Sequence, residues 1–322
     1  MGERAFALVE PSPAKNLLPV LERLEREGWD VRVYGHGRGS EVLRWEGRDA
    51  RTLGRSRRRE GWRGYLGFAV DLTRVLARMA RDRPSVVLSS GNTGDARKSL
   101  LAAAALRVRS VHVEMDVYNP VEVVRFASEV LVPFSREFAR ELERRSGARA
   151  RVIPGPPLAQ YLAERHLRGE IPGPVPEECR DRVLVCLGGD VTEEGARRLL
   201  RRLSEHDPLV VPFRVGAPPG FDRLRGFVDL PGAMMVADTV VFSGGFGVTI
   251  EACVVGNRAV KVWELHPRHL SHWIARESGV PVLSLDEVEE TDPVEVAERP
   301  DGRWLVRGGA EAVDRILEAV EG

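Results

Sequence analysis

Asp238-Thr-Val-Val-Phe-Ser-Gly-Gly-Phe-Gly-Val-Thr-Ile-Glu-Ala-Cys-Val-Val-Gly256 is the stretch on which the reading of this chain turns. Thr239 to Phe242 reads as a buried strand, Ser243 to Gly247 as a Gly-rich turn, and a helix is expected from near Val248. Glycines let backbone N–H groups approach a ligand closely, and a helix start carries partial positive charge that suits phosphate. Glu251, in the first helical turns, offers a carboxylate to ribose hydroxyls. A plain strand-to-helix turn, with Glu251 complementing the helix dipole, is the competing reading of the same residues.

The pattern repeats on either side. Val183 to Leu187 is a strand ending in Gly188-Gly-Asp190, and Glu193 to Leu203 is helical. Leu209 to Arg214 is a strand, and Phe227 to Leu230 is strand-like. After the quoted stretch come the strand Ala259 to Trp263, the loop and helix start His266-Pro-Arg-His-Leu-Ser-His272, the strand Val282-Leu283 and a C-terminal helix, Glu311 to Val320. In the first half, strands Ala5 to Glu10, Val31 to Tyr34, Ser85 to Leu88, Ser110 to Val113, Glu129 to Val132 and Arg151 to Ile153 alternate with helical segments. Such alternation means parallel sheets with both faces covered, and ligands at the carboxyl ends of the strands. That rule puts Glu10 to Lys15, Gly35 to Gly39 and Ser89 to Asp95 on the ligand side of the first half.

The 322 residues suit two domains. The boundaries expected are residues 1–165 for a first domain and 166–181 for a linker marked by Pro172, Pro174 and Pro176. A second domain at 182–306 and a closing helix at 307–322 complete the division. Formal net charge is zero, so no global attraction to nucleic acid is expected. Lysine occurs only at Lys15, Lys98 and Lys261, and the other basic residues are arginine. Abundant Arg, Glu and Pro fit a heat-adapted or GC-rich source. Cys179, Cys186 and Cys253 lack metal-ligand spacing and read as thiols in a reducing cytosol. No run is long and apolar enough to span a membrane. Arg51, Arg55, Arg57, Arg58, Arg59 and Arg63, beside Trp62, Tyr65 and Phe68, form a candidate contact with the cytoplasmic membrane face, or a solvated loop capping a core helix.

Two such domains joined by a Pro-rich segment form the GT-B architecture, an α/β fold of two Rossmann-like domains facing a central cleft. The second half resembles that of the MurG-like glycosyltransferases, which use UDP-N-acetylglucosamine and a lipid-linked acceptor. Leu187-Gly-Gly-Asp190 matches that family's Gly-Gly turn, and Ala237 to Glu251 matches its Ala-Asp-x-Val-x4-Gly-x-x-Thr-x-x-Glu segment. The resemblance implies nucleotide-sugar contacts for Gly188, Gly189, Ser243, Gly244, Gly245, Gly247, Thr249 and Glu251. The family's sugar-contacting Gln-x-x-Asn pair falls here on Arg268 and Ser271. Gly91-Asn-Thr-Gly94 and His112 to Pro120 are similar to its first-domain loops, although its N-terminal Gly-rich loop is replaced by Glu10-Pro-Ser-Pro-Ala-Lys15. The UDP-N-acetylglucosamine 2-epimerases are a more distant likeness. They share His112-Val-Glu114, Ser243-Gly-Gly245 and a loop similar to Ser12-Pro-Ala14. Their His-Arg-x-x-Asn loop is absent, and their Gly-Asp-Thr becomes Gly91-Asn-Thr93, losing a carboxylate.

Sugar transfer requires stabilisation of a leaving diphosphate, positioning, and a base for the acceptor. Backbone N–H groups of the two Gly-rich turns serve the first need. No Asp-x-Asp motif is present, so neither an obligatory metal nor any other cofactor is expected. Glu10, Asp95, Glu114 and Asp116 are the candidate bases, Lys15, Asn92, Thr93 and again Asp95 the acceptor-side residues, and His266 and Arg268 further phosphate contacts. Expected partners are therefore a UDP-sugar and an acceptor, with a 2-epimerase or a non-catalytic nucleotide-sugar-binding subunit as alternatives. His266, His269 and His272, three residues apart, form only a weak metal pattern.

Overall fold

The computed structural model describes residues 2–54, 62–115, 122–212, 219–267 and 269–322. The chain divides into two compact units, Met1–Tyr161 with Arg307–Gly322, and Leu162–Val306.

In the first unit, β1 (Arg4–Val9), α1 (Pro11–Arg26), β2 (Asp30–Gly35), α2 (Gly39–Trp45) and β3 (Arg51–Thr52) lead into the long α3 (Trp62–Asp82). Then follow β4 (Val86–Ser90), α4 (Gly94–Leu106), β5 (Arg109–Val113), β6 (Glu129–Pro133), α5 (Arg136–Ser146), β7 (Ala150–Ile153) and α6 (Pro157–Arg165), whose last residues belong to the second unit. All strands pair in parallel, in the order β3-β2-β1-β4-β5-β6-β7. The central strands are apolar on both faces because helices cover both. β4 is buried throughout, and β1 at every residue after Arg4. Helix α1 packs through Leu17, Leu18, Leu21 and Leu24, the 3.6-residue stripe legible in the sequence.

The second unit runs β8 (Val183–Leu187), α7 (Glu193–Arg202), β9 (Leu209–Pro212), α8 (Leu230–Val236), β10 (Thr239–Phe242) and α9 (Phe246–Val255). It continues with β11 (Ala259–Trp263), α10 (Leu270–Glu277), β12 (Val282–Ser284), the short α11 (Glu287–Glu290) and α12 (Pro293–Val296), and the start of α13 (Arg303–Glu321). Its sheet is also parallel, in the order β12-β11-β10-β8-β9. Residues 166–181 pack within this unit. His166 Nε2 and Asp229 Oδ2 lie 2.9 Å apart, both buried, and Pro174 O accepts from Asp229 N–H.

Three local expectations change. Phe227 to Leu230 is not a strand: Pro231 falls in the first helical turn, where its missing N–H costs nothing, so Leu230 opens α8. The helix after the Gly-rich turn starts at Phe246, two residues early, and α2, β3 and α6 occupy segments for which the sequence suggests no element. β3 pairs over only two residues, too few to leave a periodic signal.

Both sheets reverse direction once. The first passes from β1 out to β2 and β3, then returns to lay β4 on the other side of β1. The second passes from β8 to β9, then returns to lay β10 on the other side of β8. At such a switch point adjacent loops diverge to opposite faces and leave a crevice at the strands' carboxyl ends. Glu10 and Ser90–Asp95 therefore meet at one switch point, and Gly188–Gly189 and Ser243–Gly247 at the other.

Candidate functional site

In the second unit the two Gly-rich loops are in direct contact. The Gly188 N–H donates to Ser243 Oγ at 3.0 Å, and a Cβ built on Gly188 would lie 2.2 Å from the Ser243 carbonyl oxygen. Only glycine allows this approach. Gly244 adopts φ +133°, a conformation that side-chain-bearing residues rarely enter. Gly245, by contrast, faces open space. Gly245, the N-cap of α9, makes no side-chain capping bond, and the first N–H groups of a helix have no intrahelical acceptor, which makes such a start suited to an anion.

Thr249 is fully buried, and its hydroxyl donates to the Gly245 carbonyl at 2.9 Å, so it braces the turn from within. Glu251 is buried two residues further along α9. His266 is exposed, and its backbone N–H donates to Asp190 Oδ1 at 2.9 Å. His269 Nδ1 accepts from Ser271 N–H at the start of α10, and His272 Nε2 donates to the His266 carbonyl. The histidine triplet thus organises a helix start, and among the described residues no three His, Cys, Asp or Glu side chains gather as metal ligands. Arg268 lies outside the described residues.

The first unit's switch point holds a chain of titratable groups. The Cβ of any residue replacing Gly39 would lie 1.8 Å from the Val9 carbonyl oxygen, which shows how tightly the β2–α2 loop folds over the end of β1. His36 is thereby set against Glu10, Nδ1 to Oε1, at 2.9 Å. On its other side Lys98 Nζ lies 2.6 Å from His36 Nε2. A lysine ammonium can only donate, so Nε2 accepts and Nδ1–H donates to the Glu10 carboxylate. Lys98 also stands 3.6 Å from buried Asp71 of α3. Burial lowers the Lys98 pKa, opposed by the carboxylates of Asp71, Glu10 and Asp95.

Asp95 is fully buried behind Glu10. Its Oδ2 accepts the Glu10 N–H at 2.7 Å and its Oδ1 the Thr93 hydroxyl. Burial first, and then the Glu10 carboxylate, push the Asp95 pKa up. The carboxylate that the Gly91-Asn-Thr93 sequence lacks at Asn92 is matched by one three residues later, in the first turn of α4.

The other candidates fall as follows. Glu10 retains about one fifth of its side-chain surface. Glu114 is fully buried, with Oε1 accepting from Met115 N–H at 2.8 Å and Oε2 3.3 Å from His112 Nε2. Asp116 lies outside the described residues. Lys15 is buried on α1, and Asn92 Oδ1 accepts from Arg97 Nε at 3.2 Å. Three members of these clusters were not singled out from sequence. His36 carried a signal, since it directly follows a strand. Asp71 carried another: it shares the buried stripe of α3 with Val75 and Met79, where a carboxylate is out of place. Asp190 stood unremarked inside the Gly-Gly turn.

The basic segment Arg55 to Arg59 lies outside the described residues. Next to it, α3 exposes Tyr65, Leu66 and Val70. Among the described residues no helix is long and apolar enough to cross a membrane.

No protein-family model and no curated protein sequence matches the chain. Solved structures do. UDP-GlcNAc 2-epimerase from Methanocaldococcus jannaschii, in complex with UDP-GlcNAc and UDP, superposes with TM-score 0.69 at 15% identity over 99% of this chain and 100% of that one. The UDP-GlcNAc 2-epimerase from Neisseria meningitidis bound to UDP-GlcNAc gives 0.65 at 12% identity, over 99% and 100%. MurG from Acinetobacter baumannii gives 0.52 at 12% identity, over 100% and 99%. At these identities the likeness establishes the fold: two parallel α/β units of the GT-B class.

Proposed function

We propose that this chain is an enzyme acting on a UDP-sugar, and specifically that it inverts C2 of a UDP-N-acetylhexosamine, as the 2-epimerases do. The observation that carries this reading is the Glu10–Asp95 pair at a strand-switch crevice, with Glu10 reachable from solvent and held by His36. In the reaction proposed, Glu10 takes the C2 proton while the C1–O bond breaks and its electrons leave on the UDP pyrophosphate. A C1=C2 double bond remains. Return of a proton to the opposite face and re-addition of UDP complete the inversion. The leaving diphosphate is assigned to the N–H groups of the Ser243–Gly247 turn. The structural likeness supports this choice over transfer, since the epimerases superpose better than MurG.

Transfer to a lipid-linked acceptor is the second reading, favoured by the exposed apolar side chains of Tyr65, Leu66 and Val70. Incubation with UDP-GlcNAc in D2O, without any acceptor, separates the two. Epimerisation puts deuterium at C2 and produces the C2 epimer, and Glu10→Gln abolishes both. Unlabelled UDP-GlcNAc after long incubation refutes epimerisation. Sugar transfer to a polyprenyl diphosphate-linked acceptor would then establish the second reading.

A further inference from the structure

β11 carries a charge where an apolar side chain belongs. Lys261 sits between buried Val260 and Val262 in a strand covered on both faces, and it is itself fully buried. Its ammonium lies directly beneath the Gly-rich turn. Nζ donates to the Gly244 carbonyl at 2.6 Å, reaches Thr249 Oγ1 at 3.4 Å, and stands 5.1 Å from the centre of the Phe242 ring.

The residue type is informative. The chain has 48 basic residues of Lys and Arg type, only three of them lysine. Lys15, Lys98 and Lys261 are all buried, with exposures of 8, 3 and 0%. A composition that uses arginine everywhere else keeps lysine only at buried positions. Arginine is a planar fork that does not release its proton in proteins, whereas lysine is a compact point charge that can.

The titratable groups facing Lys261 are Asp190 from the β8–α7 loop, Cys253 from α9, His269 at the N-cap of α10 and His272 within that helix. Burial holds His269 and His272 down at about 3 and about 4, and pushes Cys253 up to about 12, so all three are neutral at pH 7. Asp190 is the counter-charge, and its Oδ2 makes no hydrogen bond. Burial brings Lys261 down to about 8.

We propose that Lys261 is a buried cation serving the phosphate-binding turn. It holds the Gly244 carbonyl inward, so that the turn offers N–H groups and not oxygen to the ligand. Its charge stabilises a bound pyrophosphate, so nucleoside-diphosphate binding and protonation of Lys261 reinforce one another. This rests on the nucleotide reading of the turn, and the experiment is arranged so that the two can fail separately.

UDP titrations by calorimetry at pH 7, 8 and 9, on wild type and Lys261→Met, make the test. The terminal phosphate's last proton leaves near pH 6, so UDP is fully charged throughout. If the bound state raises the amine by one to two units, wild-type Kd weakens about five- to tenfold from pH 7 to 9. Binding at pH 8 then takes up a fraction of a proton, read from buffers of different ionisation enthalpy. Lys261→Met, similar in volume and uncharged, binds more weakly at pH 7 and loses the pH dependence. Wild type that binds UDP with flat affinity and no proton uptake overturns the role of Lys261 and leaves the nucleotide site standing. Wild type that binds no UDP at any pH overturns the nucleotide reading itself, and this inference with it. Should Lys261→Met fail to fold, the wild-type proton uptake alone decides.

Discussion

Replacing Gly188 by alanine probes the contact on which the second unit's loop pair depends. The added Cβ would stand 2.2 Å from the Ser243 carbonyl oxygen and 2.4 Å from Gly244 Cα, whereas real Cβ atoms essentially never come closer than 3.0 Å. Both obstacles are backbone, so no rotamer change relieves them, and the ends of β8 and β10 must part by roughly 1 Å. Overpacking of this kind costs about 1–3 kcal/mol, and weakening the Gly188 N–H to Ser243 Oγ bond adds about 1 kcal/mol. For a unit of this size each kcal/mol is worth roughly 3 °C, so the melting temperature should fall by about 6–12 °C. Gly245→Ala is the matched control. Its Cβ meets nothing within 4 Å, and its φ of −80° is open to any residue, so stability should hold within about 0.5 kcal/mol. Yet that methyl group projects into the open space above the turn, and UDP affinity should drop. Thermal and urea melts with a UDP titration read both variants. A Gly188→Ala protein as stable as wild type refutes the close approach of the loops. A Gly245→Ala protein with unchanged UDP affinity refutes a phosphate cradle at this turn.

Two further outcomes concern buried charge. Lys98→Met removes the ammonium from buried Asp71 while nearly conserving volume and leaves Arg74 at 3.5 Å as a partner, so the first unit should lose about 1–3 kcal/mol in chemical denaturation. A loss below about 1 kcal/mol would show that the pair does not hold buried charge. In the second unit, His269 and His272 have folded pKa values of about 3 and about 4 against 6.5 in the unfolded chain, so the unfolded state binds more protons between these values. Their contribution is fully present above pH 6.5 and is lost as pH falls through 4 towards 3. The carboxyl of Asp190, raised by burial above its ordinary value, acts in the opposite sense. Urea midpoints between pH 7 and 4 should therefore decline, and His269→Asn should flatten the decline; a midpoint constant over that range refutes the assignment.

The sequence by itself determined most strands, their parallel class and the Gly-rich turn. Each is written in local pattern: apolar runs of four to six residues, helical stripes such as Leu17, Leu18, Leu21 and Leu24, and glycines directly after strands. It misjudged Phe227 to Leu230, where Pro231 sets a helix start, and it missed β3, too short to show a period. It recognised the loss of a carboxylate at Asn92 without showing that Asp95 turns inward behind Glu10. Only the tertiary structure decided which strands are neighbours, and therefore where the two switch points fall. Glu10, His36 and Asp71 come from three separate segments and Asp95 and Lys98 from a fourth, α4, and no local pattern says that the four meet. Lys261 stands openly in an apolar strand, but its partner is a carbonyl 17 residues away in the chain. Periodicity reports which face of an element is buried. What that face meets depends on long-range pairing, and that is set by the packing of the whole sheet.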